Sequence, residues 1–163
     1  MNAYQALGGE AGTAALTARF YDLMDSDARF AALRATHGAS LDYARERLFQ
    51  FLSGWLGGPP LYEELHGHPR LRQRHMPFVV TVKTRNQWIA CFAQALQDTA
   101  APPEWAVAVV LRLFALADWM RNQEEAKYPP PQPPMAADIA ERVPELQAVL
   151  AEYGLADFLV LAE

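Results

Sequence analysis

The sequence predicts an all-α fold. Apolar residues recur at three- and four-residue steps along almost the whole chain, and no stretch keeps the two-residue alternation of a half-buried strand. Glycine and proline clusters cut the chain into helix-length pieces. With 163 residues, 52% of them apolar, one compact unit can bury a sizeable core without disulfide or metal support.

A first long helix is expected from about Glu10 to Met24, with Leu16, Phe20 and Leu23 on its inner face and Tyr21 beside that stripe. A second opens at Ser40, whose hydroxyl suits an N-cap, and carries Ala44, Leu48, Phe51, Leu52 and Trp55 inward. Gly57-Gly58-Pro59-Pro60 ends it, because neither residue type continues a helix. Residues 61–82 read as irregular, with a turn near Tyr62 to Leu65 and a short helical piece ending at His75, since Pro77 disfavours helix at Met76. Thr84-Arg-Asn-Gln87 fits a capping box before Trp88, Ile89, Phe92, Ala95 and Leu96. Pro102-Pro103 then separates a last core helix, expected from about Glu104 to Ala126.

After Lys127 the composition shifts to Tyr128-Pro-Pro-Pro-Gln-Pro-Pro134, a stiff spacer. The boundary divides residues 1–127 from an appendix, 128–163, whose apolar stripe runs through Ile139, Val143, Leu146, Val149, Leu150 and Tyr153 with Pro144 interrupting it. The appendix is expected to stand apart, covering an apolar patch, pairing subunits or recruiting a partner.

Charge and composition exclude several function classes. A formal net charge of −5 argues against bulk nucleic-acid binding, and the longest apolar run, Val107 to Ala117 around Arg112, is too short to span a bilayer. Cys91 is the single cysteine and the start MNAYQALGGE lacks a signal core, which together point to a reducing, cytoplasmic compartment. His66 and His68 flank Gly67 without a cysteine or carboxylate at zinc-ligand spacing. No phosphate loop, Gly-x-Ser-x-Gly motif or flavin- or nucleotide-binding fingerprint is present.

One local feature does point to chemistry. Between Gly67 and Arg85 lie Arg70, Arg72, Arg74, Lys83 and Arg85 with no acid among them, and His75 closes the helical part of this basic island. A solvated basic face is one reading; a seat for a small anion is the other. A haem would use both features, taking one neutral imidazole on iron and cationic partners for its propionates.

The run FQFLSGWLGGPPLYEELHGHPRLRQRHMPFVVTVKTRNQWIACF, Phe49 to Phe92, closely resembles the central half of group II truncated (2-on-2) haemoglobins. Gly-Gly-Pro after the second helix, Gly-His-Pro-Arg-Leu-Arg and Arg-His-x-Pro-Phe carry the likeness, with YQALGG at Tyr4 to Gly9 and RFY at Arg19 to Tyr21; it covers about residues 3–127. The resemblance implies a truncated-globin two-over-two helical sandwich, here with a C-terminal helical extension, around haem b (iron protoporphyrin IX) ligated by His75. No acid lies near His75 in sequence, so a backbone carbonyl is the expected partner of its second ring nitrogen, which does not favour peroxidatic activation.

The resemblance further places Tyr21, His37 and Trp88 on the distal side as hydrogen-bond donors to a dioxygen ligand, with Thr36 as the alternative to His37. Ala44 and Leu48 then form an apolar distal wall. Phe51, Phe78 and Phe92 are pocket-lining or core aromatics, core being the default reading. Arg47 and Tyr62 are implied as propionate partners, and the local charge adds Arg74. Cys91 is assigned no role.

The leading functional expectation is reversible binding of dioxygen or other diatomic ligands, as in oxygen transport. A second is haem redox turnover, such as nitric oxide dioxygenation, peroxide reduction or sulfide oxidation, with an external reductase supplying electrons. A third is a haem-free helical interaction module. Oligomeric state is left open.

Overall fold

The computed structural model describes residues 1–162, and among these there is no strand. Ten α-helices follow one another: α1 (Ala3–Ala6), α2 (Gly9–Ser26), α3 (Ala31–Ala35), α4 (Asp42–Trp55), α5 (Leu61–His66), α6 (Leu71–His75), α7 (Val82–Asp98), α8 (Pro103–Trp119), α9 (Ala136–Glu141) and α10 (Val143–Glu152). The α2–α4 pair lies against the α7–α8 pair, with α2 and α7 in direct contact. Leu16, Phe20 and Met24 of α2, Leu52 of α4, Ile89, Phe92 and Leu96 of α7, and Val110, Leu113 and Phe114 of α8 fill the seam.

Each helix starts and stops for a local reason, and three boundaries differ from the sequence expectation. The α7 capping box sits three residues earlier than expected: the Thr81 hydroxyl accepts from the Thr84 amide, while the Thr84 hydroxyl accepts from the Thr81 amide. Helix α4 begins at Asp42 with Leu41, not Ser40, at its N-cap and no side-chain cap; the Ser40 hydroxyl only accepts from the Asp42 amide at 3.2 Å, one residue before the cap. Helix α8 ends at Trp119 rather than near Ala126, because Arg72 takes the carbonyls of Trp119 and Arg121 as the chain turns back.

The Gly57-Gly58 stop has a packing reason as well. Gly57 has a φ of +107°, and a Cβ at Gly58 would lie 2.5 Å from the Tyr4 ring. The amino-terminal turn closes on this corner, with the Tyr4 amide donating to the Leu56 carbonyl at 2.9 Å and the Asn2 side chain donating to the Gly57 carbonyl at 3.0 Å.

The segment beyond the proline-rich spacer does not stand apart. Leu146, Val149, Leu150, Leu155 and Phe158 are buried in the same hydrophobic core as the α2–α8 helices. The Tyr153 ring stacks on Phe30 at 6.2 Å, and Arg29 donates to the Tyr153 carbonyl at 2.7 Å. Of the expected uses, covering an apolar patch is the one its packing matches.

Polar joints complete this union. Asp118 is buried and receives Arg85 at 2.5 Å, Arg121 at 2.6 Å and Arg142 of the extension at 2.9 Å. Glu145 of the extension meets Arg85 at 2.7 Å. Burial alone would raise the Asp118 pKa, but the hydrogen bonds from Arg121, Arg142 and Arg85 together hold it below the usual carboxylate range.

Candidate functional site

His75 ends α6, a helix with no buried residue of its own. Apolar packing therefore does not fix it, and polar clamps do. Arg72 reaches the end of α8 and lies over the Trp119 ring at 4.5 Å, while Arg74 donates through Nε to the Pro69 carbonyl at 2.8 Å. Asn122 holds the loop that follows: its side-chain amide donates to the carbonyls of His75 (3.2 Å) and Phe78 (2.6 Å), and its Oδ1 accepts from the Val80 amide at 2.9 Å. Sequence reasoning missed Asn122, since nothing local relates it to His75.

The His75 ring has one nitrogen committed. Nδ1 lies 2.7 Å from the Leu71 carbonyl, the backbone partner expected from the acid-free sequence. A carbonyl carries no proton, so Nδ1 donates and the Nε2 lone pair is left for a metal.

On α2 and α7 the structure gathers an aromatic group. Phe20 contacts Tyr21 edge-on at 4.9 Å and Trp88 at 5.3 Å, and Trp88 stacks on Phe92 at 5.3 Å. Tyr21 is buried, and burial first, then the nearby Cys91 thiol, push its pKa well above the ordinary phenol value against a smaller opposing effect of Arg45. The phenol therefore stays protonated. Neither the Tyr21 hydroxyl nor the Trp88 indole N–H is among the buried polar atoms left without a partner, and no protein hydrogen bond engages either one among the described residues. Such donors are free to take an added acceptor.

His37 lies 6.2 Å from the Tyr21 ring in an edge-on arrangement. The Thr36 hydroxyl is instead spent on the Leu33 carbonyl at 2.7 Å, so of the two alternatives it is His37 that offers its ring beside Tyr21. Its Nδ1 also faces the Leu33 carbonyl at 3.1 Å and the Thr36 hydroxyl at 3.2 Å; with that hydroxyl donating to the same carbonyl, the arrangement is satisfied by a proton on Nδ1. Neutral His37 thus presents Nε2 as an acceptor and becomes a donor there only when protonated, which refines the expected donor role. Burial lowers its pKa, the Leu33 hydrogen bond opposes this, and the charges of Arg34 and His75 lower it further.

Ala44, Leu48 and Phe51 share one face of α4 with Trp55, all half-buried against the core. The aromatics diverge from the default core reading. Phe92 is fully buried and Phe51 half-buried, whereas Phe78 is 55% exposed, because it sits in the loop clamped by Asn122 and not on a core-facing helix.

Two of the three anion-partner candidates meet. Arg74 lies over the Tyr62 ring at 5.5 Å, and His66 packs on the same ring at 5.0 Å. Desolvation lowers the His66 pKa, and so do the charges of Arg47 and Arg74, against an opposing effect of Glu46. His66 Nε2 meets the Gln50 amide oxygen at 2.8 Å. Arg47 also lies over the Tyr43 ring at 4.5 Å. Sequence reasoning left His66 out after rejecting zinc, although its spacing one helical turn from Tyr62 was the available signal.

Two of the five cations of the basic island are spent. Arg85 is buried against Asp118 and Glu145, and Arg72 is committed to backbone carbonyls. The acids that neutralise Arg85 lie 33 and 60 residues away. Arg70, Arg74 and Lys83 of the island, with Arg47 from α4, are what remain for an anion, Arg74 with its Nε already donating to the Pro69 carbonyl.

These residues fit the haem implied by the resemblance: an imidazole with Nδ1 tethered to a carbonyl, the Tyr21 and Trp88 donors, an apolar α4 face, and Arg74 over a buried tyrosine. Among the described residues no group of three or more His, Cys, Asp or Glu suits a metal held by protein alone. No helix is long and apolar enough to cross a membrane.

Comparison with known proteins agrees with this geometry. The family model for bacterial-like globins matches residues 2–122. The group 2 truncated hemoglobin YjbI of Bacillus subtilis is 36% identical over 124 residues, covering 76% of this chain and 91% of that protein. The cold-adapted truncated hemoglobin of the Antarctic bacterium Pseudoalteromonas haloplanktis superposes with a TM-score of 0.73 at 42% identity, covering 76% of this chain and all of that one. The group II 2-on-2 hemoglobin of Agrobacterium tumefaciens gives 0.74 at 40% identity, covering 76% and 96%. Sequence and helix arrangement thus converge, and the chain belongs to the bacterial-like globins, among the group II truncated 2-on-2 haemoglobins.

Proposed function

We propose that this globin holds haem b through His75 Nε2 and reversibly binds dioxygen and other diatomic ligands on the face bounded by Tyr21, His37 and Trp88. When bound, the haem supplies an iron with one position open to a small ligand. Family membership implies the haem; the ligand chemistry rests on this chain's own side chains.

The observation that carries the reading is the pair of unpartnered donors, the Tyr21 hydroxyl and the Trp88 N–H, gathered around Phe20. Each is worth about 1 kcal/mol when it donates to a ligand, and more where water is excluded. Dioxygen gains from them more than carbon monoxide does, because it takes on more negative charge. His75 keeps its tautomer through the Leu71 carbonyl, and Ala44 and Leu48 keep the facing wall apolar. Arg47, Arg74 and Tyr62 would meet the propionates. The carbonyl partner of His75 favours ligand binding over peroxidatic turnover, for which a carboxylate partner would make the ring more electron-donating.

Dioxygen dissociation from Tyr21→Phe, Trp88→Phe and the double variant tests this. Each single change should speed dissociation about fivefold or more, in line with the loss of one hydrogen bond. Rates unchanged in all three variants would reject the stabilising role.

A further inference from the structure

The C-terminal extension makes contacts with the globin core that converge on one short segment. Tyr153 stacks on Phe30, the residue preceding α3, and its carbonyl is held by Arg29. Helix α10, which leads to Tyr153, packs on α7 and ties to it through Glu145 and Arg85.

Two residues after Arg85, Gln87 is buried on the same helix, and its Oε1 accepts the Leu33 amide of α3 at 2.9 Å. Leu33 in turn holds the distal loop. Its carbonyl accepts from the Thr36 hydroxyl at 2.7 Å and from His37 Nδ1 at 3.1 Å. A continuous set of contacts therefore runs from the extension through Phe30 and Gln87 to Leu33 and His37, whose ring stands beside Tyr21. Trp88 is the residue next to Gln87, so the same part of α7 presents both groups.

We propose that Gln87 and Tyr153 are positioning residues for the distal pocket, and that the extension tunes ligand retention by fixing α3 and the His37 loop. The tuning of ligand retention rests on the proposed haem function; the positioning does not. Gln87 supplies an acceptor for a backbone N–H in the first turn of a five-residue helix, where intrahelical partners are lacking. Without that acceptor, or without the Tyr153 ring against Phe30, α3 is left to its packing on α2 and α7 and to the Arg34 bonds with Asp25, Gly38 and Ala39, and His37 loses part of what orients it toward Tyr21. The matched family region ends at residue 122, so Tyr153 is a contribution of this chain outside it.

Gln87→Leu, Gln87→Glu and Tyr153→Leu in the full-length protein test the idea. Two readouts need no haem: hydrogen exchange at the Leu33 amide, and the exchange-protected N–H resonance of His37. The third is dioxygen dissociation from the haem-loaded protein. Gln87→Leu and Tyr153→Leu should each raise Leu33 exchange about fivefold or more and broaden the His37 signal, with Gln87→Glu restoring protection because it keeps an acceptor. Dissociation should change in the same order. Unaltered Leu33 exchange and an unaltered His37 signal in both leucine variants would overturn the positioning. Altered exchange with unaltered dissociation would overturn the tuning. If Gln87→Leu does not fold, Tyr153→Leu and Gln87→Glu decide the matter by the same readouts. Absence of haem binding would reject the proposed function and leave the two exchange measurements decisive for positioning.

Discussion

The Asn122 side chain donates to the His75 carbonyl across 47 residues of sequence, at 3.2 Å. It also holds Phe78 and Val80, so a single side chain closes the loop that follows His75. Because α6 buries no residue, these hydrogen bonds and those of Arg72 are what keep His75 in place.

Replacing Asn122 by alanine leaves the Val80 amide and two carbonyls without this partner. The expected cost is about 1–3 kcal/mol of stability, measured by urea unfolding, together with faster haem loss. An Arg72→Ala variant should act in the same direction. Unchanged unfolding and haem retention in both would show that α6 is held by something else.

His37 yields a pH prediction. Neutral, it offers Nε2 as an acceptor; protonated, it offers a donor to the same space. Its pKa is lowered from the ordinary 6.5 by burial, with Arg34 and His75 also acting against the cation and the Leu33 carbonyl favouring it. Dioxygen dissociation should therefore slow as pH falls through a midpoint below 6.5. In His37→Phe the slope should vanish; its persistence there would assign it to another group.

Asp118 sets the acid limit of the joint between extension and core. Its folded-state pKa is depressed, so its contribution is full above the unfolded carboxylate value of about 3.9 and is lost as pH falls through the lower folded value. Asp118→Asn leaves Arg85 and Arg121 buried beside a neutral group, at a cost of about 3–5 kcal/mol near pH 7. The difference from the parent protein should narrow in acid. Thermal unfolding across pH 3–7 checks both statements, and a constant difference would contradict them.

Truncation before Tyr128 removes Leu146, Val149, Leu150, Leu155 and Phe158 from the core. Each buried side chain of this kind contributes about 1.5–3 kcal/mol against exposure, partly offset by the entropy of ordering the segment. The truncated protein should melt at least about 4 °C lower and expose an apolar patch that promotes self-association. An unchanged melting temperature would mean that the extension adds no net stability.

The helices were legible because their signals are local: the Gly57-Gly58-Pro59-Pro60 stop, the Thr-rich start of α7 and the three- and four-residue apolar steps all act within one or two turns. The α8 end was not, since Arg72 and Arg121 set it from outside the helix. The arginine island misled in the same way. Its acid-free look holds only along the chain, and folding brings Asp118 and Glu145 to Arg85. His75, Tyr21 and Trp88 were reached through a motif match, whereas Asn122 and Gln87 act through backbone groups far away in sequence, which no residue pattern records. The tautomer of His37 likewise depended on a carbonyl that only the fold positions.

The central claim is that His75 anchors a haem, and the most direct measurement is a haemin titration of the purified protein followed by the Soret absorption band. The parent protein should take up one haem per chain with a sharp Soret endpoint, and His75→Gly should lose that endpoint and recover it on addition of free imidazole, which can occupy the vacated place. A Soret endpoint unchanged by His75→Gly, or no Soret band in the parent protein, would contradict the account.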